Sequence, residues 1–147
     1  MSKAIVIFGS TMGNTETLAA SVVEGLKEGG KEVTLKNVTD VKVEELKDYE
    51  LVVLGCSTWG LGELQDDFIG FYDTMNADAI NGKKAAVFGP GDSGMYPDNF
   101  CDAVTIIEKK LEECGATIVE DCLKVDGDVD DALDEAKTWG VNVAKNA

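Results

Sequence analysis

Residues 4–15 read AIVIFGSTMGNT, an apolar run that Gly9 closes and that leads into the polar loop Ser10, Thr11, Met12, Gly13, Asn14 and Thr15. The β-branched run is typical of a buried strand, and helical spacing begins near Glu16. A strand that enters a helix through such a loop leaves several backbone N–H groups at the helix start without intrahelical acceptors. These donors, the positive end of the helix dipole and three hydroxyls therefore predict a binding site for a phosphate.

The predicted phosphate site has no cationic side chain, because the loop lacks Lys and the whole chain lacks Arg. A Walker A loop would need Gly-Lys-Ser or Gly-Lys-Thr here, so that class is excluded. Nucleoside triphosphates are disfavoured, since their larger charge usually requires a Lys and a metal ion. One terminal phosphomonoester suits the loop better. Taken alone, the loop is also open to interpretation as a polar turn with an ordinary N-cap.

Length and composition favour one globular domain spanning residues 1–147, because the chain is 44% hydrophobic and has only two prolines. The formal net charge of −15 argues against nucleic acid and anionic membrane as partners and favours cationic protein surfaces. The first apolar run is too short for a signal sequence or a membrane span, so a cytoplasmic location is expected. No metal site is predicted, since the four cysteines form no C-x-x-C pair, and most of them are expected in the core.

Five apolar segments predict strands, and helical spacing appears between them, as where Leu18, Val22 and Leu26 recur every four residues. Alternating strands and helices, with strands buried on both faces, predict an α/β fold. The expected architecture is a doubly wound parallel sheet of five strands in the order 2-1-3-4-5, with helices on both faces. The predicted strands are residues 4–8, 33–35, 51–56 and 85–88, and a fifth made of 117–119 and 122–125 that Glu120 and Asp121 interrupt.

In this strand order, ligands bind beyond the carboxyl ends of strands 1, 3 and 4. Three polar loops follow these strands: the phosphate loop, a loop of residues 57–63 that contains Trp59, and a loop of residues 89–98 that contains Tyr96. Two aromatic rings at neighbouring strand ends can cover both sides of a flat conjugated ring attached to a phosphate. Because a loop aromatic also serves for packing or a protein contact, this interpretation depends on the convergence of the three loops.

Several motifs fall in order at three strand ends, namely Gly9-Ser10-Thr11-Met12-Gly13-Asn14-Thr15-Glu16, Gly55-Cys56-Ser57-Thr58-Trp59-Gly60, Leu64-Gln65-Asp66-Asp67-Phe68, Gly91-Asp92-Ser93 and Phe100-Cys101. Together they resemble the short-chain bacterial flavodoxins, most closely those of sulfate-reducing bacteria, over essentially the full chain. Two departures from the usual pattern of that family are a shorter loop after Trp59 and a longer loop after Ser93.

The resemblance implies noncovalently bound FMN as the cofactor. Residues 10–15 would hold its phosphate, and Ser57 and Thr58 would lie along the ribityl chain and the ring edge. Trp59 would cover the inner face of the ring. The peptide at Gly60 would turn so that its carbonyl accepts a hydrogen bond from the reduced ring, which glycine permits at little steric cost.

The outer face of the ring would be covered by Tyr96, according to the same resemblance. Met95 is the alternative, because the longer loop leaves the position of both side chains open. Main-chain groups near Gly91, Asp92 and Cys101 would meet the pyrimidine edge of the ring, so that Cys101 would act through its backbone and not through its thiol.

The resemblance further implies a low-potential one-electron carrier, not an enzyme, that shuttles electrons between redox proteins through the semiquinone/hydroquinone couple of FMN. The expected partners carry basic patches around their cofactors, as in reductases, cytochromes and hydrogenase-type or ferredoxin-dependent enzymes. The chain is expected to be a monomer. Acidic side chains near the ring would make the second electron harder to add, and this interpretation places there Glu63, Asp66, Asp67, Asp92, Asp98 and Asp102.

Two other functions share this topology. An FMN-dependent reductase acting on NAD(P)H and a quinone would usually need extra segments and a Lys cluster for the pyridine nucleotide, and neither is present in the flavin loops. A phospho-receiver domain would need acidic residues at the ends of strands 1 and 3, which here read Phe8-Gly9-Ser10 and Gly55-Cys56-Ser57. The sequence therefore favours the electron carrier.

Overall fold

The computed structural model describes residues 3–9, 14–56, 58–59, 63–64, 66–91, 102–126 and 129–147. Strands and helices alternate along these residues, and three short 3-10 turns span Val38–Asp40, Val43–Asp48 and Val129–Ala132. The remaining elements, in chain order, are β1 (Lys3–Gly9), α1 (Asn14–Glu28), β2 (Glu32–Asn37), β3 (Leu51–Cys56), β4 (Thr58–Trp59), β5 (Glu63–Leu64), α2 (Asp66–Thr74), α3 (Ala77–Ile80), β6 (Lys84–Gly91), α4 (Asp102–Glu113), β7 (Thr117–Ile118), β8 (Leu123–Asp126) and α5 (Leu133–Asn146).

The main sheet is parallel and has the order β2-β1-β3-β6-β7, with helices on both sides, which confirms the predicted fold class. Ala4 pairs with Leu51 across β1 and β3, and Leu51 pairs with Lys84 across β3 and β6. All these strands begin at one edge of the sheet, here called the amino edge, and end at the opposite edge, here called the carboxyl edge. The carboxyl edge is where this topology binds ligands.

The fifth strand position is occupied by two short strands, as the sequence predicts. Both pair with β6: Ala85 faces Ile118 of β7, and Phe88 faces Leu123 of β8. Trp139 of α5 packs against the break between them, and its Nε1 donates a hydrogen bond to the Asp121 carbonyl oxygen at 2.7 Å. Glu120 and Asp121 therefore separate β7 from β8, and the two short strands share the fifth position of the sheet.

The core lies on both faces of the sheet, and alternate residues of β1 point to opposite sides. Ile5 and Ile7 pack with the buried side chains of α2 and α4. Ala4, Val6 and Phe8 pack with those of α1 and α5. Burial on both faces explains why the sequence of β1 is continuously apolar instead of alternating.

Helices α1 and α5 pack very closely, because glycines form their contact. A Cβ atom added at Gly25 would lie 2.0 Å from the Lys137 carbonyl oxygen, and one at Gly140 would lie 2.6 Å from the Val22 carbonyl oxygen. Any larger side chain at either position would force the helices apart. This contact holds α1, whose first two residues are the last two of the predicted phosphate loop, against the rest of the fold.

Three local features differ from the predictions. The segment predicted as one loop after β3 contains the antiparallel pair β4–β5, too short to be recognised from alternation. The third loop was expected to begin at Gly89. Strand β6 instead continues through Gly89 and Pro90 to Gly91, because β8 pairs with it there. A further helix, α3, begins after Asn76, whose side chain accepts a hydrogen bond from the Ala79 amide at 3.1 Å.

Candidate functional site

Two predicted site loops leave the sheet side by side. Gly9, the last residue of β1, is the register partner of Cys56, the last residue of β3. Ser10 and Ser57 follow these two residues directly in the sequence. Strand pairing therefore places the last strand residues before the two loops at adjacent strand positions, about 4.8 Å apart.

Helix α1 begins within the predicted phosphate loop, at Asn14, and contains Thr15 in its first turn. Thr15 is 0% exposed, and among the described residues it is the only polar side chain that is buried. A buried hydroxyl needs hydrogen-bond partners, and the amides of a first helical turn have no intrahelical acceptors. The first-turn amides suit a phosphate at this end of α1, and the acidic Glu16 beside them is exposed to solvent.

The second loop is shaped by the β4–β5 hairpin. Thr58 pairs with Leu64 and Trp59 pairs with Glu63, so that only residues 60–62 connect the two strands. The hairpin lies close to β6 and α4, which flank the third predicted loop. The hairpin that contains Trp59 therefore lies beside the two elements that flank the third predicted loop.

The end of β6 approaches β3 closely at Gly89. A Cβ atom added there would lie 2.2 Å from the Cys56 carbonyl oxygen and 2.7 Å from Val104 Cγ2. Glycine at this position thus lets β6 and the end of β3 come together below the site. Gly89 was predicted to lie in a loop, although glycine within a strand pattern can mark a close backbone approach.

The predicted site residues divide into two groups. Asn14, Thr15, Thr58, Trp59 and Gly91 lie on described elements, and all five are at the carboxyl edge. The others lie outside the described residues, as does the competing Met95: Ser10, Thr11, Met12, Gly13, Ser57, Gly60, Asp92, Tyr96 and Cys101. The roles of all the predicted site residues in binding stay predictions.

Four of the six acids predicted near the ligand lie on elements that start at the carboxyl edge. Glu63 begins β5, Asp66 and Asp67 begin α2, and Asp102 begins α4. Asp92 and Asp98 lie outside the described residues. The backbone positions of these four acidic residues are therefore at the carboxyl edge of the sheet.

The cysteines that the structure describes are buried or partly buried. Cys56 and Cys114 are buried, which agrees with the predicted core role. Burial raises the pKa of the partly exposed Cys122 thiol, and a hydrogen bond with Glu108 raises it further. This thiol therefore stays protonated at neutral pH and is a poor nucleophile. The described part of the chain contains no group of three or more His, Cys, Asp or Glu residues that could hold a metal ion.

The fold and its three adjacent strand ends define a doubly wound α/β protein, a class in which ligands bind at the switch point of the sheet. A family model described as "Flavodoxin" matches residues 6–140, and the chain belongs to this family. The flavodoxin of Maridesulfovibrio salexigens is 49% identical over 147 residues, which is 98% of this chain and 98% of the relative. The resemblance to flavodoxins of sulfate-reducing bacteria is thereby confirmed.

Solved structures agree with this assignment. Oxidised flavodoxin 1 from Bacillus cereus has a TM-score of 0.89 and 37% identity, covering 99% of both chains. A mutant flavodoxin from Fusobacterium nucleatum, bound to flavin mononucleotide, has a TM-score of 0.83 and 16% identity, covering 99% of this chain and 96% of that one. This second likeness concerns the fold.

Flavodoxins are electron-transfer flavoproteins, and the cofactor of the family is FMN. The predicted cofactor and the predicted class of electron carrier are therefore confirmed at the level of the family. Among the helices of the described residues, none is both long and apolar enough to cross a membrane.

Proposed function

We propose that this chain is a low-potential one-electron carrier that binds FMN noncovalently at the carboxyl edge and works between its semiquinone and hydroquinone forms. The observation that carries the proposal is the register pair Gly9 and Cys56, beside which β6 runs on to Gly91. Three loops with complementary side chains start from these neighbouring ends. One holds hydroxyls and amides, and the other two each hold an aromatic ring.

The phosphate of FMN is held by residues 10–15. The first-turn amides of α1 support this assignment, since they offer donors that have no intrahelical acceptors. Donation by several N–H and O–H groups to a charged phosphate gives charge-assisted hydrogen bonds, which are stronger than neutral ones. No side-chain cation is then needed, which accounts for a site without Lys or Arg in its loop.

The flavin ring lies between the second and third loops in this proposal. Ser57 and Thr58 follow the ribityl chain, Trp59 covers the inner face, and Tyr96 covers the outer face, with Met95 as its competitor. The position of the β4–β5 hairpin close to β6 and α4 supports a ring held between these loops. Aromatic side chains provide a large apolar contact for a flat ring and exclude water from its faces.

The polar edge of the ring is bound by the protein backbone. Main-chain groups near Gly91, Asp92 and Cys101 meet the pyrimidine edge, and the Gly60 carbonyl accepts a hydrogen bond from the reduced ring. One such bond contributes about 1 kcal/mol, or about 45 mV for one electron. Since it forms after the first electron is added, it stabilises the singly reduced form.

Charge at the carboxyl edge lowers the second reduction potential, because the fully reduced ring is anionic. A carboxylate about 13 Å away, at an effective dielectric constant of about 40, costs the anion roughly 0.6 kcal/mol, or about 25 mV. Six such groups lower the second potential by the order of 100 mV after screening by salt. Their sum therefore outweighs the single hydrogen bond on this step.

The partners of the carrier are redox proteins whose cofactors are surrounded by basic residues, such as reductases, cytochromes and hydrogenase-type or ferredoxin-dependent enzymes. The acids at the carboxyl edge support this choice, because opposite charges steer diffusion and give fast, weak, salt-sensitive encounters. The carrier acts as a monomer in the cytoplasm.

Potentiometric titration of the FMN-loaded protein at two salt concentrations tests this function. We expect two separate one-electron steps with a long-lived blue intermediate. Between about 10 mM and 500 mM salt, the second potential should rise by about 30–60 mV, since the Debye length falls from about 30 Å to below 5 Å. The first step adds no net charge to the ring, so its potential is the internal control. A second potential that does not change with ionic strength would contradict the proposed effect of the acidic residues. A single two-electron step would contradict the proposed function as a one-electron carrier.

A further inference from the structure

Asn81 and Gly82 form the one Asn-Gly dipeptide of the chain, since none of the other six asparagines precedes a glycine. In such a pair the glycine nitrogen can attack the side-chain amide carbon of the asparagine, because glycine has no side chain to hinder the approach. The pair lies between α3 and β6, at the amino edge of the sheet, and both residues are exposed to solvent. A chemically reactive dipeptide is therefore in contact with water at the opposite edge from the proposed flavin site.

The dipeptide occupies the two central positions of a tight turn. Asn81 has φ −55° and ψ 131°, and Gly82 has φ +81°, and these angles are close to those of a type II turn. The Lys83 amide closes the turn by donating a hydrogen bond to the Ile80 carbonyl oxygen at 3.0 Å. Because the third position of a type II turn needs a positive φ, the turn itself explains why a glycine follows Asn81.

Two features of the turn oppose the attack in the folded protein. The Gly82 amide donates a hydrogen bond to the Gly115 carbonyl oxygen at 3.1 Å, and its nitrogen must lose this proton in order to react. Ring closure also requires the Gly82 nitrogen to be nearly eclipsed with Asn81 Cβ about the Cα–C bond, and at ψ 131° the two are far from eclipsed. Reaction therefore requires the turn to open, a local event that needs less free energy than unfolding of the whole chain.

Gly115, which directly follows the last turn of α4, holds the Asn-Gly turn in place. A Cβ atom added at Gly115 would lie 2.2 Å from Asn81 Oδ1 and 3.2 Å from Asn81 Cα, so the two residues are in direct contact. The hydrogen bond from the Gly82 amide ends on the same residue. The backbone at Gly115 therefore positions both partners of the reaction.

We propose that Asn81 is a site of spontaneous deamidation whose rate is set by opening of the turn away from Gly115. The Gly82 nitrogen loses its proton and bonds to Asn81 Cγ, while the bond from Cγ to the side-chain nitrogen breaks and ammonia leaves with that proton. One water molecule then opens the cyclic imide, which gives aspartate or isoaspartate at position 81. Water is the only co-reactant, and the site is independent of the electron-carrier function proposed above.

Deamidation changes both charge and backbone at the amino edge. The formal net charge goes from −15 to −16, because a neutral amide becomes a carboxylate. Isoaspartate in addition inserts one methylene group into the main chain three residues before Lys84, which pairs with Leu51 of β3 and Thr117 of β7. We therefore expect the isoaspartate form to be less stable, while FMN binding at the opposite edge is retained.

A matched pair of glycine variants tests the role of Gly115. Gly115→Ala would push a methyl group into Asn81, whereas Gly30→Ala adds a methyl group that meets nothing within 4 Å. The two glycines have φ values of +94° and +93°, and each follows a helix with the same pair of hydrogen bonds to its last turn. Both variants therefore carry the same left-handed strain, and Gly115→Ala alone disturbs the Asn-Gly turn.

The FMN-loaded proteins are kept in mildly alkaline buffer, and timed samples are digested and searched by mass spectrometry for a gain of about 1 Da at each asparagine. In the wild type we expect Asn81 to react fastest of the seven asparagines. Gly115→Ala should raise its rate by about 3–10-fold, and Gly30→Ala should leave it within about twofold. In urea all three proteins should react at one rate, at least about tenfold above that of the folded wild type, because the turn is lost in each.

Three results would overturn the proposal. Faster reaction of another asparagine in the folded wild type would show that Asn81 is not the preferred site. Equal rates in the two variants would show that overall stability, and not the turn at Gly115, controls the reaction. A wild type that reacts as fast in buffer as in urea would show that the folded turn gives no protection, and this comparison holds even if Gly115→Ala fails to fold.

Discussion

Gly25→Ala should lower the free energy of unfolding by about 3 kcal/mol or more, because the new methyl group would lie 2.0 Å from the Lys137 carbonyl oxygen and 2.9 Å from the Val141 amide nitrogen. Both neighbours belong to the backbone of α5, so neither can rotate away as a side chain could. The helices must separate, and the apolar side chains between them lose contacts. Urea unfolding of the FMN-free protein measures the change, because bound cofactor would add its own stabilisation.

Gly70→Ala is the matched control for this prediction. Gly70 lies in α2, and a Cβ atom added there meets nothing within 4 Å. Alanine is the better helix former by about 0.5–1 kcal/mol, so this variant should be slightly more stable than the wild type. A Gly25→Ala variant as stable as the Gly70→Ala variant would show that α1 and α5 do not pack as described.

The second large effect concerns the phosphate of the cofactor. Riboflavin, which lacks the phosphate, should bind about 10³-fold more weakly than FMN. Three charge-assisted hydrogen bonds at about 1.5 kcal/mol each account for this factor, at about 1.4 kcal/mol per tenfold change in affinity. Fluorescence titration of the FMN-free protein with each flavin measures the two Kd values.

Thr15→Val extends the comparison to one residue of the predicted phosphate loop. Valine keeps the shape of threonine and removes the hydroxyl, so the ratio of riboflavin to FMN Kd should shrink by about tenfold. Thr138→Val, at an exposed position of α5, is the control and should leave the ratio unchanged. Equal affinity of the wild type for FMN and riboflavin would show that the loop does not bind phosphate.

Much of the fold follows from patterns that the sequence shows directly. Strands such as β1 and β3 are continuous apolar runs because both faces of the sheet are covered, and the segments between strands have helical spacing. The interruption of the fifth strand was predictable from Glu120 and Asp121, since two acids would not enter a covered strand. The strand order then places the carboxyl ends of β1, β3 and β6 together.

The features that were missed depend on contacts between distant residues. The β4–β5 hairpin has two residues in each strand, which is too short for an alternation of polar and apolar residues. Only the pairing of Trp59 with Glu63 in the structure reveals it. Gly89 resembles a loop glycine in the sequence, and only pairing of β6 with β8 reveals it as part of a strand.

Addition of FMN to the purified, cofactor-free protein tests the central claim most directly. The account predicts that flavin fluorescence is quenched until one FMN is bound per chain, and that the protein becomes yellow with a perturbed flavin absorption spectrum. Quenching follows from stacking of the ring against an aromatic side chain, and the endpoint follows from a single site at the carboxyl edge. Protein that leaves the fluorescence of added FMN unchanged and stays colourless after removal of unbound flavin would contradict the account.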